Sequence, residues 1–227
     1  MTLVAGADVT KGSWVIVVLE NGRFKRALVV EHLIQLRQRL GPVDVLAIDI
    51  PIGLPRGGDD WPRAADLEAR DFLGPRRSSV FPSPPRPVFD ATTYANANHL
   101  HREITGKGLS RQSWGLCERI LEAEFFVSEN PDIIEVHPEV CFRAMKGEPL
   151  DYSKHSWNGQ AERRRLMAGA CINLPDHIPE AGKVPPDDLL DAAAAAWTAW
   201  RVAQGTASVV PDSAAGCDRA RRAVIWY

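Results

Sequence analysis

Several carboxylates in this chain stand where an apolar segment would not ordinarily hold a charge. Asp49 ends the strand-like run in LAIDIPIGLP (residues 46–55) just before the chain breaks at Pro51, Gly53 and Pro55. A carboxylate is a poor filler for a buried strand unless it is paired or binds a cation. At a strand exit it reaches a cleft while its backbone stays fixed. Asp49 is therefore read as one wall of an acidic metal site. Asp8 repeats the pattern at the end of LVAGADV (residues 3–9), although Thr10, Lys11 and Gly12 equally suit a turn-forming aspartate. In DDLLDAAAAAWTAW (residues 187–200), Asp188 and Asp191 lie three apart and project from one helix face. Asp188 also fits an acid that caps free amides and opposes the helix dipole. Asp191 fits that explanation less well, because it sits deeper and precedes an almost wholly apolar run.

The elements that would position these acids follow from periodicity. Residues 3–9, SWVIVVLE from Ser13, and roughly 23–30 read as three strands, with Asn21-Gly22 as a hairpin turn. Leu33, Leu36 and Leu40 mark a helix that Gly41-Pro42 stops. Residues 43–50 are apolar on both faces, as suits a central strand. Residues 61–73 suit a helix, and the prolines at 82, 84, 85 and 87 an ordered loop anchored by Val80, Phe81 and Phe89. A helix is expected from Gln112 to Val127 and a short strand from Ile133 to His137. Arg163, Arg164 and Arg165 are expected on a solvated helix surface, and a final helix from about Asp187 to Gln204. Ala192 and Ala195 on its acidic side would let it approach a sheet closely. The tail ends in a strand-like VIWY. The acids thus fall on strand one, strand four and the last helix of a β-β-β-α-β-α-β-α order. This is an α/β chain with a mixed five-stranded sheet, helices on both faces and a proline-rich insertion. A single domain over residues 1–227 is expected, with insertions at about 55–110 and 143–184.

Bulk properties exclude several classes. The 227 residues are 45% hydrophobic and 25% charged, as in ordinary globular proteins. A formal net charge of −2 gives no basic surplus of the kind dedicated nucleic-acid binders carry. Cys117, Cys141, Cys171 and Cys217 form no CxxC pair and read as reduced packing thiols. Without a secretory leader pattern or a long apolar span, a cytoplasmic protein with no membrane partner is expected.

GADVTKGSW at 6–14, AIDIPIGLP at 47–55, RRSSVFPSPPR at 76–86, EVHPEVCF at 135–142 and DDLLDAAAAAW at 187–197 span nearly the whole chain. In that order they resemble the family catalogued as domain of unknown function 429, described as predicted nucleases of RNase H-like fold. The match departs at Val9, where a small residue such as glycine is expected. The resemblance implies an RNase H-like domain in which Asp8, Asp49, Asp188 and Asp191 bind metal, with Glu135 as a further ligand or a residue that orients one. Crowded carboxylates repel, and Mg²⁺ or Mn²⁺ relieves this because hard cations favour oxygen ligands. Two such ions can activate a water and stabilise a leaving oxygen at phosphorus. A phosphodiesterase acting on nucleic acid or a nucleotide-like substrate follows, with Arg76, Arg77, Ser78 and Ser79 as phosphate contacts. His137 reads as a structural hydrogen-bonding residue. Two alternatives remain open: an actin- or sugar-kinase-like phosphotransferase, and a non-catalytic binding module that docks through the proline-rich loop or a Trp-rich surface.

Overall fold

A computed structural model describes residues 1–130, 132–212 and 223–227; Cys217 lies outside them. Three strands open the chain: β1 (Leu3–Thr10), β2 (Ser13–Glu20) and β3 (Arg23–Val30). Two-residue turns join them, and Lys11, Gly12, Asn21 and Gly22 all have positive φ. Such turns match the right-handed twist of an antiparallel pair. Helix α1 (Ile34–Leu40) returns the chain to β4 (Val45–Ile48), which pairs parallel to β1. The short strand β5 (Ile133–Glu135) pairs parallel to β4. The sheet order is β3-β2-β1-β4-β5, antiparallel at one side and parallel at the other.

Between β4 and β5 run helices α2 (Ala64–Leu73), α3 (Tyr94–Thr105), α4 (Arg111–Gly115) and α5 (Cys117–Ser128). The proline-rich piece between α2 and α3 is ordered as two 3₁₀ turns, Gly74–Ser79 and Arg86–Asp90. The single helix expected from Gln112 breaks at Leu116, next to Gly115, a weak helix former. Helix α3 had no counterpart in the sequence reading. Its asparagines and histidines blur the periodic stripe, and it is secured by the Thr93 cap, Gly106 and a small separate core with Val88 and Leu109.

After β5 come α6 (Pro138–Lys146), α7 (Trp157–Gly169) and α8 (Pro186–Ala203). Two short strands, β6 (Val209–Val210) and β7 (Ile225–Trp226), pair antiparallel, and Trp226 also bridges to Val136 beside β5.

Both sheet faces are covered. Ala5, Ala7, Ile16, Leu46 and Ile48 pack with residues of α1 and α5, whereas Val4, Val15, Val17 and Ala47 pack with α6 and α8. Pro186 suits the first turn of α8, and the alanine run favours helix while adding no bulk. A methyl group on Gly6 would overlap the backbone of Ala192 and Ala196, so α8 lies directly on β1. Glycine is required there by this close approach. Among the described residues, no helix is long and apolar enough to cross a membrane.

Candidate active site

Register brings the first two acids together. Ala7 pairs with Ile48, and the Asp49 amide donates to the Ala7 carbonyl at 3.1 Å. Asp8 and Asp49 therefore leave adjacent parallel strands side by side. Because Ala7 and Ile48 face α1 and α5, strand alternation turns both acids toward α8. The close seat of α8 on Gly6 then adds Asp191, which is only 3% exposed. Asp8 is also buried, and its Oδ1 accepts from the Val9 amide at 2.8 Å.

The electrostatics follow from this crowding. Burial, then the charges of Asp49 and Asp191, push the Asp8 carboxyl well above the usual range. Withdrawal from water raises Asp49 to about 7, opposed by Lys154. Burial likewise raises Asp191 to about 6 against the pull of Lys154. Asp188 sits half-buried at the rim, raised by burial and lowered by the Thr10 hydroxyl beside it. Its neighbour Asp187 pairs with His155 at 3.1 Å.

Lys154, which the sequence reading did not single out, is the cation of this cluster. Its Nζ donates to Asp191 Oδ2 at 2.6 Å. Burial pulls its pKa down, but Asp191, Asp49 and Asp8 together raise it above the ordinary lysine range. It lies in a polar connection, DYSKHSW, with no periodicity to mark it.

Glu135 does not join the cluster. It pairs with Ile48 and so emerges on the opposite sheet face from Asp49. Its Oε1 accepts from Arg63 Nη2 at 2.6 Å, and its Oε2 accepts from Arg63 Nη1 at 2.8 Å and the Ile52 amide at 2.6 Å. Arg63 also binds Asp66 through Nη2 at 2.6 Å and the Ile52 carbonyl through Nη1 at 2.9 Å. Asp66 in turn accepts from the Ser83 amide at 2.8 Å. This buried knot locks the turn after Asp49 to β5, α2 and the proline-rich segment. Glu135 therefore acts on the site through the backbone it holds. The Arg63–Asp66 spacing at the start of a helix was the available hint.

A cleft of about 400 Å³ is lined by Asp49, Asp191, Lys154, Arg76, Ser78 and Ser79, and the Arg63, Asp66 and Glu135 knot lines it as well. Arg76 donates through Nε to the Leu150 carbonyl at 3.1 Å and lies 3.7 Å from Glu139. Arg77 instead points to solvent, within 3.5 Å of Asp71, and does not line the cleft. The ring of His137 bonds the Ser79 carbonyl through Nε2 at 3.2 Å, tying β5 to the 3₁₀ turn that carries Arg76. Arg163 departs from the expected solvated surface: it is fully buried and donates to Glu139 at 2.6 Å, while Arg164 and Arg165 are exposed.

The family described as protein of unknown function (DUF429) matches residues 6–215. The chain belongs to that family. No curated protein and no solved structure matches it. The DUF429 match covers every element that carries an acid of the cluster, from β1 to α8.

The donor chemistry suits a hard divalent cation, since Asp8, Asp49 and Asp191 offer only carboxylate oxygens and are short of positive charge. Among the described residues, no three His, Cys, Asp or Glu side chains already form a metal-holding group. Lys154, bonded to Asp191, supplies the cationic charge in the arrangement as it stands.

Proposed function

We propose that this cleft hydrolyses phosphodiester bonds with divalent metal held within the carboxylate cluster of Asp8, Asp49 and Asp191. The observation that carries the reading is the imbalance of charge. Three carboxylates from β1, the end of β4 and α8 are gathered away from water and face a single ammonium. Such an excess is costly unless a cation completes it. The sheet order β3-β2-β1-β4-β5, with acids on β1, β4 and a helix lying on β1, supports an RNase H-like classification.

When bound, Mg²⁺ or Mn²⁺ supplies an acidified water and polarises the phosphoryl oxygen. The chain's own residues do the rest. Register and helix seating fix the acids, and Arg63 and Glu135 hold the exit turn that aims Asp49. Arg76, Ser78 and Ser79 form the wall where substrate phosphate would lie, and arginine is suited to phosphate oxygens. The volume of about 400 Å³ lies in the small-molecule range and favours a nucleotide-like phosphoester or an unpaired strand over a duplex. The net charge of −2 agrees with local rather than extended phosphate contact.

The test is hydrolysis of bis(4-nitrophenyl) phosphate and of short single-stranded oligonucleotides in Mn²⁺ or Mg²⁺. Turnover is expected in the wild type and its loss in Asp8→Asn and Asp49→Asn. Equal activity in these variants and the wild type contradicts the reading.

A further inference from the structure

We propose that Lys154 is a built-in cation that takes the place of a second metal ion, so that the site holds one divalent ion between Asp8 and Asp49 while Asp191 is held by the lysine. This rests on the metal reading of the cleft. It replaces the two-ion arrangement implied by resemblance with one ion and one ammonium.

Three observations support it. The first is charge. Lys154 places an ammonium among Asp8, Asp49 and Asp191, bonded to Asp191 at 2.6 Å, and so supplies positive charge that a second ion would otherwise bring. Asp188, half-buried at the rim, adds a further carboxylate whose charge also reaches Asp8.

The second is geometry. Asp8 and Asp49 leave neighbouring strands next to each other, whereas Asp191 reaches them from α8 and already accepts from Nζ at 2.6 Å. The pair on the strands is thus available to an ion, and the acid on the helix is occupied.

The third is the construction of the segment that carries the lysine. A lysine on a loose loop would visit Asp191 only in passing, since its long stem is flexible. Here the loop is fastened on both sides. Buried Glu162 accepts from the Asp151 amide at 3.2 Å and the Tyr152 amide at 3.3 Å, and from Lys146 Nζ at 2.8 Å. Buried Arg163 donates to the Tyr152 carbonyl at 3.2 Å and is itself anchored on Glu139 at 2.6 Å. Ser156 caps α7 at the Gly159 amide and donates to the Ser153 carbonyl at 2.7 Å. A methyl group on Gly159 would collide with that same carbonyl, so α7 seats directly against the residue preceding Lys154. Two buried ionic residues and a helix cap thus hold in place a short connection whose side chain enters the acid cluster. This accounts for Arg163 and Glu162, which do not line the cleft. They are positioning residues that act through the loop.

The experiment is a Mn²⁺ titration of the metal-free full-length protein, read by calorimetry and by the electron paramagnetic resonance signal of free Mn²⁺ at micromolar to millimolar concentration. Wild type, Lys154→Met and Lys154→Arg are compared, with circular dichroism as the fold control. One Mn²⁺ per chain is expected for the wild type and for Lys154→Arg, which keeps the charge. Lys154→Met is expected to bind a second Mn²⁺, with Asp191 released. Two ions in the wild type, or an unchanged count in a folded Lys154→Met protein, overturn the inference while leaving metal binding intact. No Mn²⁺ bound by any of the three overturns the metal reading itself. The wild-type count stands whether or not a variant folds.

Discussion

Two groups of buried acids lie beside one cleft at the same strand ends, and they solve the problem of buried charge differently. At the start of α2, Glu135 and Asp66 surround Arg63. Its guanidinium is 3% exposed, and their oxygens are also taken by the Ile52 and Ser83 amides. On the α8 side, Asp8, Asp49 and Asp191 gather around Lys154, whose side chain is 37% exposed, with Arg163 also acting on Asp191. The first group sets two carboxylates around one guanidinium and fills their hydrogen bonds with Arg63 and two backbone amides, which is how a buried ionic knot becomes structural. The second keeps a larger excess of negative charge, three carboxylates around one lysine. Burial raises Glu135 as well, so the shift alone does not separate the groups; what separates them is that the oxygens of Glu135 and Asp66 are taken by a guanidinium and backbone amides. Distance along the sequence would not have separated the two, since Glu135 and Asp49 both sit at strand ends.

The largest contrast is expected from removing the arginine. Arg63→Met leaves Glu135 and Asp66 buried without their cation and is expected to cost about 3–5 kcal/mol, read as a lowered urea midpoint. In the other group, Asp49→Asn removes one of the repelling charges and is expected to leave the metal-free protein at pH 8 as stable as the wild type or more so. A loss comparable to that of Arg63→Met would erase the distinction between the groups.

An effect of pH follows at intermediate size. Asp8, Asp49 and Asp191 have folded-state pKa values above the ordinary carboxylate value, with Asp49 at about 7 and Asp191 at about 6. The folded state therefore holds more protons than the unfolded chain between about pH 4 and 7. Their contribution to stability is full below the unfolded carboxylate pKa and is lost as pH rises through 6 to 7. In chelator, the melting temperature of the wild type should fall across this window relative to Asp49→Asn, and Mn²⁺ at pH 8 should restore it. His137, pushed down by its removal from water, works in the opposite sense at lower pH. For that reason the difference between the two proteins is the quantity to follow.

The smallest effect separates two neighbours. Arg77→Ala is expected to change stability by no more than ~0.5 kcal/mol and to leave KM for a phosphodiester unchanged. Arg76→Ala is expected to raise KM.

Much of this arrangement was legible in the residues. Strand alternation, Asn21-Gly22 and the both-faced apolar run around Ala47 point to β1 through β4, and the small residues after Asp191 foretell the close seat of α8 on Gly6. Asp8, Asp49 and Asp191 are visible because each is a charge inside an apolar pattern. What escaped were the partners. Lys154 and Arg163 sit in polar stretches where a charge breaks no pattern, and their burial comes from packing between α6, α7 and α8. Glu135 shows the opposite failure. Its strand-end position was readable, but its face depended on the register between β4 and β5, which a three-residue strand does not reveal.

The central claim is that Asp8, Asp49 and Asp191 form a metal site while Glu135 and Asp66 form a structural one. Anomalous scattering from a Mn²⁺-soaked crystal tests it most directly. A peak is expected against the carboxylates of Asp8 and Asp49, with none at Glu135 or Asp66. Absence of density beside Asp8 and Asp49 at millimolar Mn²⁺, or a peak at Glu135, would contradict it.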